Sequence, residues 1–270
     1  MSKTIAIMGC GWLGFPLAKS FIKEGYTVHG STTSEEKLIT LRNEGILPFK
    51  ISLSEDKING PIADFLSTVD TLIINVPPKL RGKHAENYVT KMQLLHKEIK
   101  QAEVSNVIFV SSTSVYGLAE GIVTEQTKPE PVTASGKQLL TSENLFFKDP
   151  KLKTSIIRFG GLINDARHPV VMLSKKEEIS NGNFPVNLIH LDDCIRILIY
   201  VTSKQWWREI INAVYPYHPS KSEYYSKEAM KKGLKTPIFI ENKTKNGKII
   251  NADYLINVKN FAFQTSIIMP

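Results

Sequence analysis

This 270-residue sequence contains very few cysteines and no long apolar run. Its two cysteines, Cys10 and Cys194, are far apart and have neither the spacing of a metal site nor that of a redox pair. No apolar segment approaches the ~20 residues that a membrane helix needs, and the N-terminal residues do not follow the order of a signal peptide. These absences disfavour disulfide-stapled, zinc-binding and membrane-spanning proteins. We expect a cytoplasmic protein with no metal and no membrane partner.

Acidic residues are fewer than basic ones, 26 against 34, which gives a net charge of +8. No helix-turn-helix, zinc or RNA-binding signature accompanies this charge, so specific nucleic-acid binding is not expected. A basic surface that attracts anionic small molecules is the favoured interpretation. The remaining composition, with 42% hydrophobic residues, is that of an ordinary globular chain with one large domain or slightly more.

Three glycines near the N-terminus stand in G-x-G-x-x-G spacing: Gly9, Gly11 and Gly14. An apolar run precedes them and a helical pattern follows them, which is the strand–turn–helix context that dinucleotide binding requires. The first glycine allows the sharp turn, the second lets a pyrophosphate approach, and the third lets the helix pack against the strand. Trp12 and Leu13 begin that helix, whose N–H groups would face the phosphates. An ordinary strand–helix turn is the alternative.

The end of the second predicted strand, Tyr26 to Gly30, lacks the acid that NAD-specific sites place there to bind the ribose 2′-hydroxyl. Hydroxyl side chains stand there instead, followed by a lysine: Ser31, Thr32, Thr33 and Lys37. The acids come slightly later, and Thr33 and Glu36 have the spacing of a helix capping box. Hydroxyls and a lysine suit a 2′-phosphate, so NADP is the predicted cofactor and NAD the alternative.

Apolar strand patterns and helical patterns alternate along the chain. This alternation is typical of an α/β protein, and it predicts a Rossmann-type, doubly wound parallel sheet. We assign residues 1–165 to an NAD(P)-binding Rossmann domain, to which residues 187–215 return. Residues 166–270 would mainly form a small C-terminal αβ lobe for the substrate.

Two predicted strands end in segments that we expect to contact ligands, since ligands bind at the carboxyl ends of parallel strands. The strand from Thr71 ends near Pro77, and Val76 and Pro77 either lie beside the adenosine of the cofactor or simply stop the strand. The strand Val107 to Val110 runs into the hydroxyl residues Ser111 to Ser114. They form a polar site or a turn that caps its own backbone, and the polar site is favoured because burying hydroxyls costs free energy.

Four segments together resemble the short-chain dehydrogenase/reductase superfamily, in its extended or atypical branch of nucleotide-sugar epimerases, dehydratases and reductases. They stand in the family's order: Gly9-Cys10-Gly11-Trp12-Leu13-Gly14, Phe109 to Gly117, Ile157 to Leu162, and Asn187 to Asp193. Within the superfamily, the segments Pro131 to Lys137 and Arg167 to Pro169 are most similar to the YeeZ-like bacterial subgroup. The resemblance implies a Rossmann fold, a bound NAD(P) and, as is common in the superfamily, a homodimer through two long helices.

The resemblance also implies roles for individual residues. Ser112 matches the family's catalytic serine or threonine, which hydrogen-bonds the substrate, and Lys137 matches the lysine that binds the nicotinamide ribose. Thr113 and Ser114 stand where sugar dehydratases carry two acids, so elimination chemistry is not expected, and Thr113 is a candidate substrate contact. The nicotinamide end would be lined by residues on two segments: Ser111, Arg158, Phe159, Gly160, Gly161 and Leu162.

One position departs from the family pattern. The family's catalytic tyrosine lies four residues before the lysine, where the ammonium lowers the pKa of the phenol so that it acts as a general acid or base. This sequence has Thr133 there, and a threonine hydroxyl is far too weak an acid for that role. No tyrosine occurs between Tyr116 and Tyr200. Tyr116 itself is a weak candidate, because this residue of the motif is usually structural.

The loop after residue 161 and the strand that follows supply the candidate substrate residues. Arg167 can grip a carboxylate or phosphate through bidentate hydrogen bonds, and His168 is a second candidate proton donor. An exposed loop pair is the alternative for both. His190 touches the substrate or braces its pocket. Either Asp192 or Asp193 is interpreted as the cap of the helix that follows them.

Two functions fit these observations. The first is an NADP(H)-dependent oxidoreductase or epimerase that acts on a small polar substrate, such as a sugar nucleotide or another anionic compound. The second is a non-catalytic dinucleotide-binding module, a redox sensor or a regulatory partner, which the missing tyrosine favours. Ser112 and Lys137 favour the enzyme, because a sensor has less need of them.

Overall fold

The computed structural model describes residues 3–78 and 86–268. The strands in these ranges are β1 (Thr4–Met8), β2 (Thr27–Thr32), β3 (Leu47–Lys50), β4 (Ser52–Leu53), β5 (Ile58–Asn59), β6 (Thr71–Ile74), β7 (Asn106–Ser112), β8 (Gly121–Val123), β9 (Lys153–Phe159), β10 (Gly161–Ile163), β11 (Ile179–Ser180), β12 (Leu188–His190), β13 (Ile210–Ala213), β14 (Phe239–Ile240) and β15 (Lys248–Ile250). The α-helices are α1 (Gly14–Lys23), α2 (Glu35–Asn43), α3 (Ile62–Leu66), α4 (Tyr88–Gln101), α5 (Ala134–Phe147), α6 (Val170–Leu173), α7 (Leu191–Ser203) and α8 (Lys221–Lys231). A 3₁₀ turn (Thr113–Tyr116) and a π-helical turn (Tyr254–Val258) complete the helical elements of these ranges.

Seven strands form one sheet in the order β13-β9-β7-β6-β1-β2-β3. The pairings from β3 through β2, β1 and β6 to β7 are parallel. The chain builds this sheet outward from β1 in one direction and then returns to extend it in the other. That reversal places a crevice at the carboxyl ends of β1 and β6, where doubly wound proteins bind ligands. The predicted Rossmann-type sheet is confirmed.

Strand β1 and helix α4 are buried in the way that their apolar residue patterns predict. All five residues of β1 are buried, as expected for a central parallel strand whose two faces are covered. On α4, Met92, Leu95 and Ile99 are buried at helical spacing. The apolar periodicity predicts this helix with the bounds that it has, Tyr88–Gln101.

Two local predictions are wrong. Helix α2 begins at Glu35 with Ser34 as its N-cap residue, so Thr33 and Glu36 do not form the predicted capping box. Helix α6 ends at Leu173, whereas the periodicity predicts a helix that continues to Ile179. The charged residues between them (175–178) are exposed and bring no apolar side chain that would hold another helical turn against a core.

The chain divides into two compact units. Unit 1 comprises Met1–Val115, Pro131–Arg158 and Ile195–Ile210, and unit 2 comprises Tyr116–Glu130, Phe159–Cys194 and Ile211–Pro270. The units interleave along the chain because pairings such as β8 with β15 join distant segments. The assigned division at residue 165 therefore stays a prediction. Within the described ranges, no helix combines the length and the hydropathy needed to cross a bilayer.

Candidate functional site

The glycine turn between β1 and α1 is shaped by the protein at two positions and open at the third. A Cβ at Gly9, whose φ is +103°, would lie 2.7 Å from the carbonyl oxygen of Asn75. A Cβ at Gly14 would lie 2.2 Å from the carbonyl oxygen of Gly9, whereas one at Gly11 would meet nothing within 4 Å. The fold itself therefore requires two of the glycines. The open space beside Gly11 fits the close approach of a pyrophosphate.

Side chains from β2 and from the end of β6 hold this turn in place. The N–H of Gly9 donates to Ser31 Oγ at 2.8 Å, and Asn75 Nδ2 donates to the Gly9 carbonyl at 3.1 Å. The Ser31 hydroxyl in turn donates to Met8 Sδ at 3.2 Å. Sequence reasoning did not find Asn75. Asn75 could have been noticed as a polar residue directly after the apolar strand β6, at the point where the strand order reverses.

The N-terminus of α1 has no side-chain cap. Leu13 is its N-cap residue and supplies no capping hydrogen bond, and the first turn contains no acid. The positive end of the helix dipole is therefore not neutralised by a protein carboxylate of that turn, which suits an anionic ligand. Trp12 is half-buried and Leu13 is buried. Their contact with a cofactor stays a prediction.

The hydroxyls at the end of β2 differ in their availability. Ser31 is 2% exposed and is occupied by the glycine turn, and Thr32 Oγ1 accepts the N–H of Ser34 at 3.2 Å. Thr33 and Lys37 are exposed. We therefore correct the prediction that Ser31 offers its hydroxyl to a 2′-phosphate; Thr32 keeps its hydroxyl hydrogen, and its role there stays a prediction. Thr33 and Lys37 keep that predicted role.

The segment after β6 contains the residues predicted to lie beside the adenosine. Strand β6 ends at Ile74, two residues before Val76. The carbonyl of Val76 accepts a hydrogen bond from Tyr88 Oη at 2.8 Å, and burial raises the pKa of Tyr88. Pro77 is exposed. Contact with an adenosine stays a prediction for Val76 and Pro77.

A buried ion pair supports the end of β7. Ser111 Oγ donates to the Glu143 carboxylate, which also receives Arg158 Nη2 at 2.6 Å and Arg158 Nε at 3.1 and 3.2 Å. The side chains of Arg158 and Glu143 are each 3% exposed. Ser111 and Arg158 are thus committed to the interior of unit 1, and their predicted place at the nicotinamide end is corrected. Glu143 was missed, although it lies on the buried stripe of α5 with Leu139.

The start of α5 packs against the hydroxyl segment that ends β7. A Cβ at Gly136, in the first turn of α5, would lie 3.1 Å from the Ser114 carbonyl oxygen. Ser112 is half-buried, and its Oγ accepts the N–H of Ser114 at 3.2 Å, which leaves the hydroxyl hydrogen for another acceptor. Thr113 is 8% exposed. The fold therefore brings the segment of Ser112 to the helix that carries Lys137.

Thr133 is the N-cap residue of α5. Its Oγ1 accepts the N–H of Gly136 at 3.1 Å, which is an ordinary side-chain cap. Lys137 follows one turn later, is exposed, and donates its backbone N–H to the Thr133 carbonyl at 3.0 Å. The position of the family's proton donor is thus occupied by a residue that stabilises the helix.

In unit 2, the hydroxyl of Tyr116 is engaged within the protein. Tyr116 is 1% exposed, and its Oη donates to Asn212 Oδ1 at 2.8 Å. The backbone N–H of Asn212 donates to Glu125 Oε1 at 2.9 Å, so the tyrosine ends in a buried network. The weak catalytic prediction for Tyr116 is corrected accordingly.

His168 belongs to the interior of unit 2. It is 5% exposed, its Nε2 lies 2.9 Å from Tyr224 Oη, and its Nδ1 accepts the N–H of Val170 at 3.2 Å. Since Tyr224 Oη donates to the carbonyl of Ile267, it accepts from Nε2–H, which defines a neutral imidazole. Burial, with a smaller contribution from the Lys232 charge, lowers the pKa of His168 to about 4. The predicted proton donor is therefore a neutral structural side chain.

The other predicted residues of unit 2 are more varied. Arg167 is exposed, and its backbone N–H donates to Asn164 Oδ1 at 2.7 Å. His190 is half-buried, with its Nδ1 3.5 Å from the Asp192 carboxylate. The carboxylate of Asp193 accepts the N–H groups of two residues near the C-terminus, so it anchors that segment and is not the predicted cap. Contacts with substrate stay predictions for Arg167 and His190.

The residues that follow β9 are held by packing within unit 2. Phe159 is completely buried, and a Cβ at Gly160 would lie 2.6 Å from the carbonyl oxygen of Asn187. Gly161 is exposed and begins β10, with Leu162 half-buried beside it. Their contact with the nicotinamide end stays a prediction.

A doubly wound sheet with a glycine turn at the reversal of its strand order defines a Rossmann-type, NAD-binding class of protein. Residues 4–130 match the family model described as the NAD binding domain of 6-phosphogluconate dehydrogenase. Over 272 aligned residues, the chain is 33% identical to protein YeeZ of Escherichia coli (strain K12), and the alignment covers 99% of each chain. The chain belongs to the same family as protein YeeZ.

Two solved structures of similar fold were determined with bound NAD. The UDP-glucuronic acid 4-epimerase from Bacillus cereus in complex with NAD has a TM-score of 0.80 at 20% identity, covering 98% of this chain and 92% of that one. MoeE5 in complex with UDP-glucose and NAD has a TM-score of 0.79 at 19% identity, covering 98% and 95%. Similarity at these identities establishes the fold alone.

Proposed function

We propose that the protein binds NADP(H) in preference to NAD(H) at the glycine turn and acts as an oxidoreductase or epimerase on a small polar substrate. The observation that carries the proposal is the turn itself: Gly9 and Gly14 have no room for a side chain, while the space beside Gly11 is open. The uncapped start of α1 adds a positive helix end to the same place. When bound, the dinucleotide supplies or accepts a hydride.

The residues around the start of α5 would handle the substrate. The Ser112 hydroxyl has its hydrogen available for a substrate carbonyl or hydroxyl, and the exposed ammonium of Lys137 can hold ribose hydroxyls. Thr133 cannot donate a proton at neutral pH, and the Tyr116 hydroxyl and the His168 imidazole are committed elsewhere. Under this proposal the proton would come from bulk solvent, relayed by water beside Ser112.

The substrate would be a sugar nucleotide or another anionic compound. The net charge of +8 favours anions, and the similar structure of MoeE5 contains UDP-glucose. Arg167, exposed on the loop before α6, would contribute a planar guanidinium for a phosphate or carboxylate.

A non-catalytic redox sensor is the second candidate, and one observation favours it. Thr133 uses its hydroxyl to cap α5, so the residue at the family's proton-donor position serves the fold. A sensor would keep the glycine turn and would need no proton donor.

Titration with NADPH and NADH, followed by turnover assays with UDP-sugars and small carbonyl compounds, tests the proposal. The expected result is tighter binding of NADPH, and conversion of at least one substrate that Ser112→Ala abolishes. Ser114→Ala is the matched control, since Ser114 is half-buried in the same segment and should leave turnover intact. Dinucleotide binding without turnover across the panel would favour the sensor, and binding of neither dinucleotide would refute both.

We also propose a cytoplasmic homodimer. Both cysteines are buried and free, as a reducing compartment allows. The dimer contact is assigned by analogy to α4 and α5, the two 14-residue helices of unit 1. Sedimentation of the purified protein, at twice or once the mass of 30.4 kDa, decides this point.

A further inference from the structure

An exposed ion pair lies at the edge of the sheet, beside the end of β2. Strand β3 pairs with β2 so that Lys50 stands opposite Thr32, the last residue of β2. Lys50 Nζ donates to the carboxylate of Glu35, the first residue of α2. The end of β2 is the place where dinucleotide-binding proteins contact the adenosine ribose. A cation and an anion are therefore both present there, one on β3 and one on α2.

The hydroxyls of this place do not offer a 2′-phosphate much binding by themselves. Ser31 is occupied by Gly9 and Met8, and Thr32, which accepts the N–H of Ser34, is only 8% exposed. Thr33 is left exposed. Charge must therefore supply most of the discrimination between a 2′-phosphate and a 2′-hydroxyl, since charge-assisted hydrogen bonds are roughly twice as strong as neutral ones.

Two lysines surround the end of β2. Lys37, on α2, is near enough to the glycine turn for its charge to lower the pKa of the Cys10 thiol slightly, against the rise to about 12 that burial causes. Lys50 stands on β3, opposite Thr32 at the end of β2. Sequence reasoning found Lys37 and missed Lys50, because the pairing of β3 with β2 is not visible in the sequence.

The Lys50–Glu35 pair is free to rearrange at little cost. The side chain of Lys50 is 54% exposed and that of Glu35 is 71% exposed. Ion pairs at such exposure contribute little to stability because solvent screens them. A phosphate monoester with nearly two negative charges is a stronger partner for an ammonium than one carboxylate is. It would compete for Lys50, and the remaining Glu35 carboxylate would repel it.

We propose that Lys50 is a specificity-determining residue that binds the 2′-phosphate of NADP(H), and that Glu35 is its competing counterion and weakens this selection. The inference rests on the proposed dinucleotide site and adds the residues that choose between its two ligands. The Glu35 carboxylate can accept a hydrogen bond from a ribose 2′-hydroxyl. Lys50 and Glu35 together would therefore set the ratio of the NADPH and NADH affinities, and NADH would still bind.

Binding measured by calorimetry with NADPH and NADH, at one fixed salt concentration, tests the inference without any substrate. Lys50→Ala should weaken NADPH binding about 10-fold or more, as loss of one charge-assisted contact does, and leave NADH within about 2-fold. Lys50→Arg should keep the preference. Glu35→Gln should tighten NADPH several-fold, and this gain should disappear in the double variant with Lys50→Ala.

Lys57→Ala is the control, because Lys57 is an exposed lysine of the same unit, on the β4–β5 turn. It should change neither affinity, and the melting temperatures of all variants should stay close to that of the wild type. Equal weakening of both dinucleotides by Lys50→Ala, or no change in either, would overturn the inference while leaving the proposed function standing. Failure of the wild type to bind either dinucleotide would instead overturn the proposed function.

Discussion

Helices α1 and α5 begin in the same unit, but only α5 is capped by a side chain. Thr133 Oγ1 accepts the N–H of Gly136 at the start of α5, whereas Leu13 offers α1 no side-chain acceptor. A cap of this kind typically stabilises a protein by about 1 kcal/mol. Helix α1 therefore lacks the stabilisation by a side-chain cap that α5 has. The uncapped end of α1 is the one next to the glycine turn.

This difference indicates that the start of α1, and not that of α5, is suited to an anionic ligand. At α1, the glycine turn is held by Ser31 and Asn75 and stays open beside Gly11. At α5, the family's proton-donor position has become a cap, while Ser112 and Lys137 remain in the neighbouring segments. Under the proposed function, cofactor binding and proton transfer would therefore be separable. Substitutions at five positions test this comparison, from the largest expected effect to the smallest.

The largest loss of stability is expected at the α5 region from Glu143→Ala. This change leaves the Arg158 guanidinium buried without its carboxylate, and breaking a buried ion pair in this way costs about 3–5 kcal/mol. Urea unfolding at pH 7 measures the change in the free energy of unfolding. Glu98→Ala, a half-buried glutamate of α4, serves as control and should cost less than about 1 kcal/mol. Equal effects of the two changes would show that the Ser111–Glu143–Arg158 cluster does not support unit 1.

At the glycine turn, Gly14→Ala and Gly11→Ala should give opposite results. The Gly14 variant places a Cβ 2.2 Å from a backbone oxygen and should lose about 3 kcal/mol, since the backbone must shift. The Gly11 variant meets no atom within 4 Å, so it should keep its melting temperature. It should nevertheless bind NADPH at least ~10-fold more weakly, because its methyl group occupies the space for the pyrophosphate. Unchanged NADPH binding by this variant would place the pyrophosphate elsewhere.

The pH dependence of stability should report on His168 in unit 2. His168 stays neutral in the folded protein down to about pH 4, whereas the unfolded chain takes up this proton near pH 6.5, the ordinary value for histidine. The unfolded state therefore binds more protons between these values, and stability falls as the pH falls from 6.5 to 4. The contribution of His168 is roughly 3 kcal/mol, from about 2.5 pKa units at about 1.4 kcal/mol per unit.

Unfolding curves of the wild type and of His168→Gln at several pH values measure this contribution. The variant should be less stable at pH 7 and should lose less stability on acidification. Parallel pH profiles of the two proteins would contradict the neutral, buried imidazole. NADPH affinity between pH 6 and 7 should not depend on His168.

The smallest effect is expected for Thr133→Ala, which should cost about 1 kcal/mol through loss of the α5 cap. Thr133→Ser keeps an acceptor and should retain most of the stability. Both variants should bind NADPH as the wild type does, because the glycine turn is unchanged. Weaker NADPH binding in Thr133→Ala alone, measured by fluorescence titration, would show that the two helix starts are coupled.

Thr133→Tyr probes the same position for chemistry. It loses the cap but restores a phenol one helical turn before Lys137, and it should raise turnover of any substrate that the wild type converts slowly. A fully active wild type that Thr133→Tyr impairs would indicate that the proton comes from a water held at this place.

The fold class was predictable because it depends on short-range patterns. Each of these patterns lies within a short stretch of sequence: the apolar run of β1, the three glycines, and the helical period of α4. The alternation of strands and helices was therefore visible in the sequence. The glycine spacing also defined where a dinucleotide would lie. Helix ends were less predictable, as α2 and α6 show, because capping and the packing of the last turn depend on neighbouring segments.

Which polar groups are available to a ligand was decided only by tertiary structure. Ser31 contacts a residue 22 positions away, Asn75 one 66 positions away, and His168 one 56 positions away. The residue type and spacing of a serine or histidine are the same whether its hydrogen bonds are used inside the protein or left for a ligand. The sequence by itself therefore determined the sheet, the glycine turn and the absence of a tyrosine before Lys137. Only the packing of distant segments decided that the side chains of Ser31 and His168 make their hydrogen bonds inside the protein. The same packing places Lys50 beside the end of β2.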